Sequence, residues 1–204
     1  MTRLVKRLFD IAAAAVCLTV LSPLIAIIAA AIKLEDGGTI FFVQDRVGLG
    51  GRVFRCPKFR TMTDGAPAIG RGGVVSTDDE RLTRVGRVLR NWTLDEIPQL
   101  WSIVRGDMSV VGPRPWVPAQ VDGLPAWARR RFDVRPGLAG WAWIHGRNLV
   151  PWTERIRLDV WYVDRWSLAL DARILAKAFV LLARRDGVYG RDGVARDPDW
   201  SELI

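Results

Sequence analysis

A chain of 204 residues, half of them hydrophobic, has the length of one domain and can bury a core without staples. Its two cysteines, Cys17 in an apolar run and Cys56 in a basic one, exclude a disulfide framework or a zinc module and fit a reducing, cytosol-facing compartment. A net charge of +8 and a pI near 10.4 require an anionic partner, and ten tryptophans shift the choice from nucleic acid toward a membrane surface, where indole and guanidinium groups settle together.

The chain opens with Arg3, Lys6 and Arg7, followed by an uncharged run over 11–32. That run is too long for a signal peptide and lacks a small-residue cleavage site. It has the length of a bilayer span, but Pro23 sits in its middle, where the ring clashes with the Thr19 carbonyl and removes its donor, while the Ser22 hydroxyl can bond back one turn. Each half is then only about half a bilayer long. Cations precede and follow the run, and a single span cannot keep both ends cytoplasmic. A re-entrant helix-break-helix over 1–34 satisfies both; a kinked span is the competing reading.

The remainder, 35–204, reads as an α+β unit, mostly helical with short strands. Strands are expected over 39–43 and 53–54. Lys58 and Arg60 then lie two apart on an extended segment, either as a cation pair for phosphate or as solvated charges around a buried Phe59. The Gly/Pro-rich stretch 64–75 is a candidate flap, and Thr77 to Glu80 reads as a capping box opening a helix with Leu82, Val85 and Leu89 on one face and Arg90 at its end.

Asp95 and Glu96 come next. Asp95 can be a helix N-cap with Pro98 in the first turn, or a nucleophile toward a phosphate ester whose charge is neutralised by Arg90 and Arg114. Pro113 and Pro115 stiffen the backbone on both sides of Arg114, as bidentate phosphate recognition requires; a structural turn is the alternative. Trp116, Trp127 and the cluster Arg129, Arg130 and Arg131 suggest an interfacial helix. Helices are expected over 155–166 and 167–185, the second amphipathic.

In order, Lys6-Arg7-Leu8-Phe9-Asp10, Ser22-Pro23, Lys58-Phe59-Arg60-Thr61-Met62, Asp95-Glu96, Val111-Gly112-Pro113-Arg114-Pro115 and Gly146-Arg147-Asn148 cover nearly the whole chain. This set resembles the monotopic phosphoglycosyl transferases, bacterial sugar transferases that act on polyprenyl phosphate. The resemblance makes the re-entrant helix the firm expectation, with a cytoplasmic catalytic domain carrying interfacial amphipathic helices on the inner membrane of a bacterium. It implies transfer of a sugar-1-phosphate from a UDP-sugar to polyprenyl phosphate through a phosphosugar on Asp95, with release of UMP. Glu96 would orient the site or accept a proton, and Lys58, Arg60, Arg90, Arg114 and Arg147 would bind substrate. Magnesium, or manganese in its place, is the expected cofactor at Asp95, because carboxylate and phosphate oxygens are hard ligands. An anionic bilayer is the expected surface and a second copy of the chain a candidate partner.

Three positions depart from the family pattern. His145 stands where Asn is usual, Trp143 where Gln is, and Ser102 where Asn is, so His145 is not expected to be a shared acid or base. Asp159 and Asp171 match acidic family positions and are expected to form structural salt bridges. Two other classes compete: a membrane-anchored basic scaffold binding nucleic acid, for which no recognition motif is apparent, and an anchor recruiting proteins, which leaves Asp95, Arg90 and Arg114 unexplained.

Overall fold

A computed structural model describes residues 1–63, 75–76, 79–146, 149–184 and 194–195. The chain opens with α1 (Thr2–Val20) and α2 (Ser22–Asp36), bent by 60° at Leu21. The break forms as the Ser-Pro pair predicts. Leu21 adopts φ −85°, ψ −1°, and the Ser22 hydroxyl donates to the Thr19 carbonyl at 2.8 Å, satisfying the acceptor that Pro23 cannot serve. No single described helix is long and apolar enough to cross a membrane; the bent pair together is. The halves are longer than the uncharged run implies, because α1 begins at Thr2 and carries Lys6, Arg7 and Asp10 on its first turns.

Those polar residues dock on the rest of the fold. Arg7 donates to the Ile103 and Val104 carbonyls at 2.7 and 3.0 Å, serving acceptors that the end of another helix leaves over. Asp10, buried, accepts the Val110 N–H at 3.0 Å. Ala14, Leu18 and Leu21 pack with Cys56, Leu100, Ile103 and Met108, while Ile28 and Ile32 pack with Phe59 and Leu89. The opposite face of the pair leaves Leu4, Leu8, Phe9, Val16, Val20, Ile27 and Leu34 exposed.

Strands β1 (Phe41–Val47) and β2 (Val53–Phe59) form an antiparallel hairpin with Gln44 opposite Cys56 and Phe42 opposite Lys58. Both strands run further than expected, since each completes the other's hydrogen bonds. Two-residue strands β3 (Val75–Ser76) and β6 (Val194–Ala195) pair with each other. Strand β4 (Ser109–Val111) lies parallel to β5 (Gly137–Ala139).

Helix α3 spans Arg84–Asn91, not the stretch after Thr77. Its cap is Thr83, whose side chain accepts the Gly86 N–H, and Glu35 at the end of α2 accepts the N–H groups of Arg84 and Val85. Asp79 is engaged by Arg81 instead, and Leu82 bridges to Met62, which holds the chain extended before the helix can start. Thr77 and Asp78, like all of the expected flap over 64–75 except Val75, lie outside the described residues.

Helix α4 spans Gln99–Arg105. The expected interfacial helix is short: α5 covers Ala126–Arg129, and a 3-10 turn follows over Arg130–Asp133. Within it Arg131 is buried, not lipid-facing. Its guanidinium donates to Asp159 at 2.6 Å and lies 3.7 Å from the ring of Trp116, itself 2% exposed. Trp127 stays exposed, and Arg130 pairs with Asp164. Helix α6 (Trp141–Ile144) leads to α7 (Trp152–Arg165) and α8 (Leu168–Arg184), close to the expected ranges. Asp159 and Asp171 form the anticipated salt bridges, Asp171 with Lys6 at 2.7 Å.

Candidate active site

The site lies where β2, α3, the turn before α4 and the turn after β4 converge. Gly86 sets the first approach: a Cβ there would lie 2.0 Å from the Thr61 carbonyl oxygen, so only glycine lets α3 press against the chain leaving β2. One turn later Arg90 donates from Nε to the Thr61 hydroxyl at 3.0 Å. Thr93 then takes φ 59°, ψ 22°, a left-handed conformation for a β-branched residue and the one non-glycine of that kind among the described residues. It breaks α3 from the 3-10 turn Leu94–Glu96 that carries both carboxylates. Asp95 is therefore inside a turn and not the N-cap of α4, whose cap position is taken by Pro98.

Glu96 is the centre of the charge cluster. Lys58 donates to its Oε1 at 2.7 Å, and Arg114 reaches Oε1 at 2.8 Å and Oε2 at 3.4 Å. Burial opposes ionisation of Glu96, but the charges of Arg114 and Lys58, with the bonds they donate, hold its carboxyl well below the usual range. Asp95 is in the opposite state. Burial pushes its carboxyl up; Lys58, 3.9 Å from Oδ2, opposes that, while the Glu96 charge adds to it. Arg90 and Arg114 also act on Asp95 by charge. Two adjacent carboxylates thus have different environments, one committed to cations and one held ready for something else.

The turn that presents Arg114 is stiff. Gly112 donates to Ala139 at 2.8 Å, Pro113 accepts from the Gly137 N–H at 2.9 Å, and the Arg114 carbonyl accepts from Arg131 at 2.9 Å. A Cβ on Gly112 would meet the Arg135 carbonyl at 2.3 Å, so this turn and β5 close on each other without side chains between them. The guanidinium itself is about half exposed, at 49%, and faces outward over Glu96.

Of the residues singled out in the sequence, Lys58, Asp95, Glu96 and Arg114 come together here, with Arg90 at the edge. Arg60 does not join them. It is buried, paired with Asp36 and bonded to the Thr39 and Met62 carbonyls, so the two cations of one extended segment serve different ends of the domain. Arg147 and Asn148 lie outside the described residues. His145 is exposed, with Nδ1 2.7 Å from the Trp141 carbonyl and its ring 4.2 Å from that of Trp141.

The depression beside Glu96 is also lined by Arg46, Cys56, Gln99 and Pro115, which the sequence reading did not select. Arg46 donates to the Pro115 carbonyl at 3.0 Å and to Gln44 at 2.6 Å. Only the pairing of β1 with β2 brings it there, and no local motif signals that register. Among the described residues no group of three or more histidine, cysteine or acidic side chains could hold a metal alone. A hard cation needs no such cage when substrate phosphates complete its shell.

Comparison with known proteins places the chain in a family. The family model for bacterial sugar transferases matches residues 1–185. The chain is 45% identical over 175 residues to the uncharacterised sugar transferase EpsL of Bacillus subtilis, covering 84% of each. It is 39% identical over 195 residues to a UDP-glucose:undecaprenyl-phosphate glucose-1-phosphate transferase of Caulobacter vibrioides, covering 90% of this chain and 72% of the relative. Against a UDP-galactose-lipid carrier transferase of Erwinia amylovora the identity is 37% over 92% of this chain but only 42% of that longer protein. Matched over most of its length, the chain is an enzyme of the bacterial sugar transferase family.

Proposed function

We propose that this protein transfers a sugar-1-phosphate from a UDP-sugar to polyprenyl phosphate, through a phosphosugar carried on Asp95. The observation that carries this reading is the division of labour between the two carboxylates. Glu96 is saturated by Lys58 and Arg114, whereas the Asp95 side chain accepts no hydrogen bond among the described residues and has its nearest cation 3.9 Å away. Asp95 is thus the oxygen available to a reacting phosphorus. An Oδ of Asp95 attacks the sugar-proximal phosphorus; the bond from that phosphorus to the bridging oxygen breaks, and UMP leaves with the electron pair. An oxygen of polyprenyl phosphate then attacks the same phosphorus and expels the Asp95 carboxylate. The donor and the lipid acceptor need not occupy the site together.

Arg114 and Arg90, which both act on Asp95 by charge, neutralise the diphosphate that a carboxylate would otherwise repel. Lys58, bonded to Glu96 at 2.7 Å, helps to keep Glu96 ionised. A magnesium ion would be held by Asp95 with the donor phosphates and would supply further charge neutralisation. Arg147 remains the expected third arginine.

The same reading extends to the membrane. Lys6, Arg7 and Asp10 near the start of α1 and Glu35 and Asp36 at the end of α2 all bind one body. A hairpin whose two ends share one body enters and leaves a bilayer by one face, so we take α1 and α2 as re-entrant and the active site as cytoplasmic. The exposed apolar face of the hairpin, with Trp92 and Trp101 exposed nearby on α3 and α4, supplies the lipid contact.

The test is release of UMP from a panel of UDP-sugars in the presence of polyprenyl phosphate, with intact-protein mass measured after brief exposure to donor alone. One added phosphosugar that is absent in Asp95→Asn supports the covalent route; UMP release without any adduct would point to direct transfer. For topology, Thr2→Cys and Arg105→Cys in a Cys17→Ser background should be labelled from the same, cytoplasmic side. Opposite-side labelling would make 11–32 an ordinary kinked span.

A further inference from the structure

The sequence motif Lys6-Arg7-Leu8-Phe9-Asp10 is absorbed neither by the chemistry nor by lipid contact, because its polar residues face the domain. Lys6 donates to Asp171 at 2.7 Å and to the Val111 carbonyl at 3.1 Å. Asp171 is the hub of this cluster: its Oδ2 also accepts from the Trp166 indole at 3.1 Å, and its Oδ1 accepts from the Tyr162 hydroxyl at 2.7 Å. That hydroxyl also lies 3.3 Å from the Val111 carbonyl. One buried backbone oxygen at the end of β4 therefore accepts from Lys6 and lies beside the Tyr162 hydroxyl, and one carboxylate orients both groups. The neighbouring Val110 N–H is tied to Asp10, on the same helix as Lys6.

Val111 opens the turn that presents Arg114. Downstream, the carbonyls of Pro113, Arg114 and Pro115 are held by Gly137, Arg131 and Arg46 respectively. Upstream, the Gly112 N–H is tied to Ala139, and the Val111 carbonyl beside it takes its side-chain donor from Lys6. A network in which every polar group is satisfied fixes geometry; one with a member removed does not.

We propose that Asp171 and Lys6 are positioning residues for Arg114. They fix the Val111 carbonyl, and through Lys6 the seating of the membrane hairpin becomes part of the active-site geometry. The other end of the hairpin is built in parallel, since Glu35 caps α3, which carries Arg90. The proposal rests on the reading that Arg114 acts on the donor phosphates.

The experiment is a double-mutant cycle on the full chain in bilayer nanodiscs, read by titration with UDP, which has the donor's diphosphate whatever the sugar. The proteins are the parent, Lys6→Met, Arg114→Lys and the double variant. If Lys6 acts through Arg114, Lys6→Met weakens UDP binding about tenfold in the parent and less than about twofold once Arg114 is lysine. Lys6→Arg, which keeps a donor to both partners, should restore most of the affinity. Equal losses in both backgrounds mean that Lys6 only supports the fold, and the proposal falls. An Arg114→Lys protein that binds UDP as the parent does would remove Arg114 from the phosphate site and overturn both the reading and this inference. Should Lys6→Met fail to give a cooperative unfolding transition, Tyr162→Phe, which deletes the hydroxyl bonded to Asp171 beside the Val111 carbonyl, takes its place in the same cycle with the same two decisive outcomes.

Discussion

Two arginine-carboxylate clusters in this protein use the same residue types and have opposite characters. Arg131 and Asp159 are 1% and 5% exposed, close at 2.6 Å, and sealed under Trp116. Arg114 and Glu96 close at 2.8 Å, but Arg114 is half open to solvent, Lys58 supplies a second cation, and Asp95 stands beside them without a hydrogen-bonding partner among the described residues. The first pair is shut off from solvent, and the one guanidinium nitrogen it leaves over, Arg131 Nη1, is buried with it. The second holds more charge than its internal contacts use, and it is open on one side, which is what a site for a phosphorylated ligand requires. The difference shows that a pair's role follows from whether its leftover charge and donors are open to a ligand more than from the pair itself.

The sharpest way to break the comparison is Asp95→Asn. Turnover should be lost entirely, since an amide is neither nucleophile nor metal ligand, while the unfolding midpoint is unchanged or slightly raised because one buried carboxylate beside another is removed. UMP release and a thermal melt together check this, and substantial residual turnover would sink the covalent route. In the sealed cluster the pattern inverts. Asp159→Asn or Arg131→Ala should cost on the order of 3–5 kcal/mol of stability by stranding a buried charge, whereas replacing both with apolar residues of similar volume should cost far less. Denaturant titrations of the two singles and the double distinguish a structural pair from a catalytic one.

Arg114→Lys is next in size. It keeps the charge but not the two-pronged geometry, and about 2 kcal/mol of transition-state stabilisation should go, with little change in stability. Parent-like kinetics would remove Arg114 from the chemistry.

The pH profile gives a smaller and more specific effect. Asp95 must be ionised to attack, and burial with the Glu96 charge pushes its carboxyl up, so the acid limb of the rate should lie above the usual carboxylate range near about 4. Glu96→Gln removes a like charge and frees Lys58 and Arg114 to act on Asp95. Both changes favour the ionised form, so the limb should move to lower pH even though the maximum rate falls; a limb that stays put or rises would show that Asp95 is not the group titrating. The smallest effect is at Thr93. Thr93→Asn should relieve left-handed strain and stabilise the fold by about 1 kcal/mol without raising activity, measured by chemical unfolding.

Much of this was legible along the chain. The Ser22-Pro23 break, the β1-β2 region, the last two helices and the grouping of Asp95, Glu96 and Arg114 all rest on local chemistry: a missing donor, an alternating pattern, a helical period, prolines flanking an arginine. The errors have a common cause. Thr77 to Glu80 has the composition of a capping box, yet the helix starts at Thr83 because Leu82 is held in a bridge to Met62 and Glu35, from another helix, caps the N–H groups of Arg84 and Val85. Arg131 looked like one of three lipid-facing cations, but Asp159 one helix away takes it into the core.

The sequence alone determined the family, through the resemblance its ordered motifs carry, and the break in the apolar run, because each motif depends on residues adjacent in the chain. Only the tertiary structure decided which cations serve the site and which serve the scaffold. Lys58 and Arg60 are neighbours on one extended segment, and the sequence treats them alike. Their fates separate because Glu96 waits on one side of that segment and Asp36 on the other, and a buried charge goes to whichever opposite charge the fold brings within reach.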